Sequence, residues 1–198
     1  MTFTVTCMEN GSGQVVQRSV AYPSDYSRTI RRVQVTVEDL RPATGYAVTV
    51  RALNRMGAGP ESEPVALNTP EAPPSSAPVN LQCVSLSADA IQLTWAHPAP
   101  AHQHGHLQGF RIFYKMMPGI GKRIFLADDI SSFRPESKRV GNVLDSVLHG
   151  LQAFQNYSIQ ISALNRAGSG PLSVPVVCQT DEKGRNWIKQ LIINKKLI

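Results

Sequence analysis

The sequence predicts an all-β protein made of two copies of one antiparallel sandwich module. Three observations carry this: a gapless internal repeat, a hydrophobic period of two inside each copy, and no helical pattern before residue 181. The chain has 198 residues, enough for one or two domains at ~100–200 residues each. A shift of 111 residues lays Leu40–Thr69 over Leu151–Thr180, and thirteen of the thirty positions are identical. The matches include Leu40/Leu151, Tyr46/Tyr157, the run Ala52–Arg55 over Ala163–Arg166, Gly57/Gly168, Gly59-Pro60 over Gly170-Pro171, Ser62/Ser173 and Thr69/Thr180.

Each element follows from local pattern. In the first copy, Tyr46, Val48, Val50 and Ala52 alternate with smaller or polar residues, as a strand with one buried face requires. Val33–Val37 alternates likewise, and Asn10-Gly11 marks a turn. In the second copy, Ile91–Trp95, Phe110–Tyr114 and Tyr157–Ala163 alternate, and strands are expected near 79–87, 90–96, 108–116, 121–127, 142–149, 155–165 and 172–180. Seven strands make two packed sheets. Counted back by the repeat shift, the first copy's counterparts of the opening two strands fall before Met1, so residues 1–70 read as a partial module of a longer chain or an incomplete gene model. Residues 71–78, with Pro73, Pro74 and Pro78, read as a stiff extended linker, because proline fixes φ. Residues 79–180 form the complete module, and 181–198 a basic tail.

Composition narrows the function. The formal net charge is +6, half of it in residues 181–198, so the body lacks the clustered basic face that nucleic acid binding needs. No run of ~18 apolar residues is present for a membrane span, and the first residues lack the basic start and apolar core of a secretion signal. Cys7, Cys83 and Cys178 are too widely spaced for metal knuckles.

The pattern Leu-x-Pro-x-Thr-x-Tyr-x-Val-x-Val-x-Ala-x-Asn-x-x-Gly-x-Gly over Leu40–Gly59, its copy from Leu151, and Trp95 together resemble fibronectin type III modules. The resemblance implies that Tyr46 and Tyr157 plug strand corners, that Trp95, Leu40 and Leu151 belong to the interior, and that the Asn…Gly…Gly loops close the last hairpins. Val79–Cys83, Ser137–Arg139, Val147–Leu151, Asn156–Ser158 and Val174–Glu182 are further similar to fibronectin repeats of the Down syndrome cell adhesion molecule family, within the immunoglobulin superfamily. That similarity implies a non-catalytic spacer and contact segment on the extracellular side of a single-pass neuronal receptor at the plasma membrane. Its partners would be the same or related cell-surface receptors, and its roles homophilic adhesion, axon guidance and dendrite self-avoidance. Sidekick-type adhesion proteins carry similar repeats, as do receptor tyrosine phosphatases, where such modules would be accessories of an enzyme ectodomain. The tail from Trp187 matches nothing in the family.

Particular residues carry candidate chemistry. Cys83 and Cys178, in the first and last strands of the complete module, are taken to form a bridge in an oxidising compartment, with two separate buried thiols as the alternative; Cys7 is left free. Asn10-Gly-Ser12 and Asn156-Tyr-Ser158 are N-glycosylation sequons, with Asn156 favoured as pointing outward beside an inward Tyr157. Asn54, Arg55, Asn165 and Arg166 head the loops Asn54–Glu61 and Asn165–Leu172, the expected contact surfaces. The histidines of His102-Gln-His-Gly-His106 lie in a Pro- and Gly-marked loop without thiolate or acidic ligands, which reads as solvated rather than as a metal site. Pro118–Lys122 reads as a hairpin turn and Asp128-Asp129 as a charged turn. Arg28, Arg31 and Arg32 form a small basic group, and the tail from Trp187 has apolar positions compatible with a surface helix. No nucleophile, base and acid come together, so no enzyme, cofactor, metal or small-molecule substrate is expected.

Overall fold

The computed structural model describes residues 1–21, 34–117 and 136–183. The chain divides into two compact units, Met1–Glu71 and Ala72–Ile198. The Arg28–Arg32 group, Pro118–Lys122, Asp128-Asp129, the strand expected over 121–127 and the tail from Trp187 lie outside the described residues.

The described residues of unit 1 form a single antiparallel sheet of β1 (Thr2–Glu9), β2 (Val15–Ala21), β3 (Gly45–Asn54), β4 (Gly57–Glu61) and β5 (Val65–Asn68). The order is β2-β1-β3-β4, with β5 also on β3. Period-two alternation sends Val5 and Cys7 of β1 and Tyr46 of β3 to one face, where Val16, Val35, Val37, Leu40 and Val48 pack around them. Of the alternation read over Val33–Val37, Val33 lies outside the described residues and residues 34–38 join no ladder, yet Val35 and Val37 still pack against the apolar face. A hydrophobic period of two therefore records burial, and a ladder needs a paired neighbour as well.

Unit 2 is a sandwich. One sheet has the order β10-β7-β6 and the other β12-β11-β8-β9, from β6 (Val79–Ser85), β7 (Ile91–Ala96), β8 (Gly109–Met116), β9 (Glu136–Val140), β10 (Asp145–Leu148), β11 (Asn156–Leu164) and β12 (Val176–Gln179). Between the sheets lie Ile91, Leu93, Trp95, Phe110, Ile112, Leu148, Leu151, Tyr157, Ile159 and Ile161. Burying each such side chain contributes about 1.5–3 kcal/mol. Trp95, 5% exposed, meets Phe110 edge to face with centroids 5.5 Å apart. Strand β9 is polar and its sequence gives no alternation to read, while the strands expected over 142–149 and 172–180 are shorter than their apolar runs suggest.

The two units share one strand plan. β1 lies between β2 and β3 as β8 lies between β9 and β11, and Leu53 opposes Thr2 as Leu164 opposes Gly109. Among the described residues of unit 1, the β10-β7-β6 sheet has no counterpart. The consequence shows at equivalent positions of the central strand: Ile161 is 0% exposed, whereas Val50 is 38% exposed.

Candidate functional site

Three polar identities of the repeat, its tyrosine, threonine and serine, are hydrogen-bonding devices present in both units. The Tyr46 hydroxyl accepts from Arg41 N–H at 2.8 Å, and the Tyr157 hydroxyl from Gln152 N–H at 2.8 Å, so each ring plugs the interior while its oxygen anchors the chain before the strand. Thr69 Oγ1 accepts from Thr44 N–H at 3.0 Å and donates to Arg41 O at 2.6 Å. Thr180 Oγ1 repeats both bonds, from Gln155 N–H at 3.0 Å and to Gln152 O at 2.6 Å. Ser62 and Ser173 accept from Val50 N–H and Ile161 N–H, at 3.0 and 3.1 Å, each just ahead of the last strand of its unit. The roles of Thr69/Thr180 and Ser62/Ser173 were missed by sequence reasoning, although their identity across the repeat was the available signal.

At the edge of the sandwich, Cys83 of β6 and Cys178 of β12 are joined in a disulfide with Cα atoms 6.2 Å apart, tying one sheet to the other. Cys7 is free and buried on the apolar face of unit 1, and burial pushes its thiol pKa up. On β8, Tyr114 donates to Glu136 Oε2 at 2.7 Å; burial and then that carboxylate push its pKa up to about 12. A small recess beside the Tyr157 corner is lined by Tyr114, Glu136, His149 and Gln152.

The hairpin after β11 behaves differently from the exposed loop that its composition suggests. Asn165 is 6% exposed and holds the start of its own unit. Its Nδ2 donates to Ala72 O at 2.6 Å and to Gln103 O at 3.2 Å, while its Oδ1 accepts from Ala167 N–H at 2.9 Å. Residues 72–75 are therefore not a free linker. Ala72 N–H bonds to His104 O at 3.1 Å and Ser75 N–H to His102 O at 2.9 Å. Nor is the histidine loop merely solvated. His104 Nδ1 sits 3.1 Å from Pro73 O, so that nitrogen must be the donor and the Nε2 of the neutral ring accepts from the Ser75 hydroxyl at 3.2 Å. Ser75 Oγ is then free to accept from His102 Nδ1 at 3.1 Å. Among the described residues, no group of three or more His, Cys, Asp or Glu side chains could hold a metal ion.

The other sequence candidates fall as follows. Asn54, Arg55 and Arg166 are exposed, and Met56 between the hairpin strands is 94% exposed. Asn10 is exposed in the turn between β1 and β2. Asn156 is half-buried as the first residue of β11, opposite Gln179, with its carbonyl accepting from Met117 N–H at 2.7 Å. Leu151 is buried and Leu40 half-buried, each beside its tyrosine corner. The described residues contain no helix long and apolar enough to cross a membrane.

Duplicated corners, a core tryptophan and a sandwich with seven strands among the described residues specify a module type, and the fibronectin type III domain family matches residues 2–68 and 76–179. This chain belongs to the fibronectin type III family. Proteins to which it is similar include two cell adhesion molecules and a sidekick protein. Cell adhesion molecule Dscam2 of Drosophila melanogaster is 37% identical over 138 residues, covering 69% of this chain and 6% of the relative. Cell adhesion molecule DSCAM of Homo sapiens is 34% identical over 149 residues, covering 74% and 7%. Protein sidekick-1 of Gallus gallus is 34% identical over 148 residues, covering 74% and 6%. The fibronectin type III segment thus corresponds to a small fraction of each relative's length.

Proposed function

We propose that this chain is a non-catalytic segment of the extracellular part of a cell-surface adhesion receptor, where its modules set the spacing of recognition domains and offer their loops as protein contacts. The observation that carries this is the disulfide-closed fibronectin type III sandwich, a module shared with cell adhesion molecules at 30–37% identity. A bond between the outer strands of the two sheets persists in an oxidising compartment, which supports an extracellular setting. Its partners are other receptors of the same or a related kind at the plasma membrane. The finer roles in neurons, homophilic adhesion, axon guidance and dendrite self-avoidance, belong to the parent receptor.

Stiffness is the physical contribution. The grip of Asn165, His102 and His104 on residues 72–75 removes about 1–2 kcal/mol of backbone conformational freedom for each residue held, so the entry to the second module is fixed before any partner binds. Labelling intact cells with a membrane-impermeant amine reagent, followed by alkylation without reductant, tests the proposal on the endogenous protein. It expects surface labelling with Cys83 and Cys178 unalkylated; an unlabelled pool with both cysteines alkylated would overturn it.

A further inference from the structure

We propose that the outer face of the β12-β11-β8-β9 sheet is a docking surface for a sulfated polysaccharide chain, gripped by Arg111, Arg139 and Lys115. Antiparallel register sets Arg111 of β8 directly opposite Arg139 of β9, with Cα atoms about 5 Å apart. Both stand on the face turned from the core, since the adjacent Phe110, Ile112 and Val140 pack into the interior. Lys115 lies on the same face of β8, about 14 Å along the strand from Arg111. Phe113 stands half-buried between them. Among the described residues, Arg111, Arg139 and Lys115 make no hydrogen bond or ion pair.

Like charges facing each other across a ladder are destabilising, and the strand plan does not require them. Thr4 opposes Arg51 as Arg111 opposes Ser162, so unit 1 has Thr4 and Ser19 where unit 2 has the two arginines. There the two hydroxyls bond to each other at 3.2 Å. Nor does unit 2 neutralise its pair. Glu136, the acidic residue of these four strands, faces the other side and accepts from the Tyr114 hydroxyl at 2.7 Å. Ser162 is buried with its hydroxyl unpartnered, so it does not hold Arg111. Lys138, on the inner side of β9, shows a cation put to structural use: its Nζ donates to Ser146 Oγ at 3.1 Å and to Val147 O at 2.8 Å. The outer face is thus positive without an internal counter-charge, and its complement is an external anion. A guanidinium takes an oxyanion through two parallel N–H···O bonds, and the facing pair suits one sulfate held from both sides. Phe113 offers an apolar ring to the C–H face of a sugar, which favours a sulfated sugar over an acidic peptide. The source of the ligand rests on the extracellular setting proposed above; the charge pattern does not.

The test titrates the full chain with heparin, hyaluronan and polyglutamate by calorimetry at about 0.15 M salt. Heparin should bind roughly tenfold or more tightly than hyaluronan, which carries carboxylates without sulfate, and than polyglutamate. Arg111→Thr with Arg139→Ser installs the residues of unit 1 and should weaken heparin binding roughly tenfold or more. It should also lower the salt slope by about 1.4, at about 0.7 for each contact with a single-stranded polyanion. Arg111→Gln with Arg139→Gln keeps the long stems and should lose the same, which carries the test if the first pair does not fold. Lys195→Gln with Lys196→Gln removes equal charge from the basic tail and should leave heparin affinity within about twofold. The proposal is overturned if the arginine variants bind heparin like the parent, if the tail variant loses as much as they do, or if hyaluronan or polyglutamate matches heparin. None of these outcomes alters the surface labelling and disulfide state that test the extracellular setting, so the two can fail separately.

Discussion

Reducing Cys83–Cys178 while leaving every atom of the sequence in place isolates the cross-link from packing. The bond spans a sequence separation of 95 residues. In the chain-entropy relation a loop of that length raises the free energy of the unfolded state by about 4.7 kcal/mol at 25 °C. Native disulfides in small domains contribute about 2–5 kcal/mol, so a loss of about 3–5 kcal/mol is expected on reduction. With a guanidinium m-value of about 3 kcal/mol/M, the unfolding midpoint of unit 2 should fall by about 1–1.7 M, and the m-value should rise because the reduced chain expands further. The assay is fluorescence of Trp95 in a Trp187→Phe chain, which leaves one of the two tryptophans as reporter. Oxidised and reduced samples are run side by side, the latter with reductant throughout. Cys7 is a buried free thiol in both and cancels. A midpoint change below about 0.3 M with an unchanged m-value would refute the reasoning, because the bridge would then not be restricting the unfolded chain.

Three further outcomes are expected. Tyr157→Phe strands Gln152 N–H without its 2.8 Å acceptor, and should lower the stability of unit 2 by about 1–3 kcal/mol in the same Trp95 assay. For Tyr114, a folded pKa raised from 10.0 to about 12 favours the neutral phenol; its contribution to stability is complete below about pH 10 and lost as pH rises through 12. Tyrosinate absorbance should then show a late-titrating component that Glu136→Gln shifts earlier. In a secreted preparation, Asn10→Gln should abolish glycosidase-sensitive mobility and Asn156→Gln should leave it, since Asn10 is exposed in a turn and Asn156 is a half-buried strand residue; the reverse pattern would show that strand pairing at Asn156 does not limit modification.

What the sequence made legible was one-sided burial. Ile91–Trp95, Phe110–Tyr114 and Tyr157–Ala163 alternate because each has one face on a shared core, and all three are central strands of unit 2. β9 could not be read because Glu136–Val140 is a polar edge strand whose pairing with β8 depends on backbone bonds that leave little mark on side-chain choice. Val35 and Val37 show the opposite failure: their alternation is genuine burial without a ladder. At the candidate contact loops, composition gave the turn but not its occupancy. Asn54 and Asn165 are the same letter in the same motif, yet one is exposed and the other grips Ala72. Only the spatial neighbour distinguishes them. The histidine loop misled similarly, because its work is done through the carbonyls of His102 and His104, which any residue could supply, together with ring bonds to Ser75 and Pro73.

The most direct measurement is residue-resolved hydrogen exchange on the intact chain under native conditions. One strand plan, closed by a second sheet in unit 2 and lacking that cover among the described residues of unit 1, predicts slow exchange at Ile159 and Ile161 and at least tenfold faster exchange at their counterparts Val48 and Val50. Equal protection at the two pairs would contradict it.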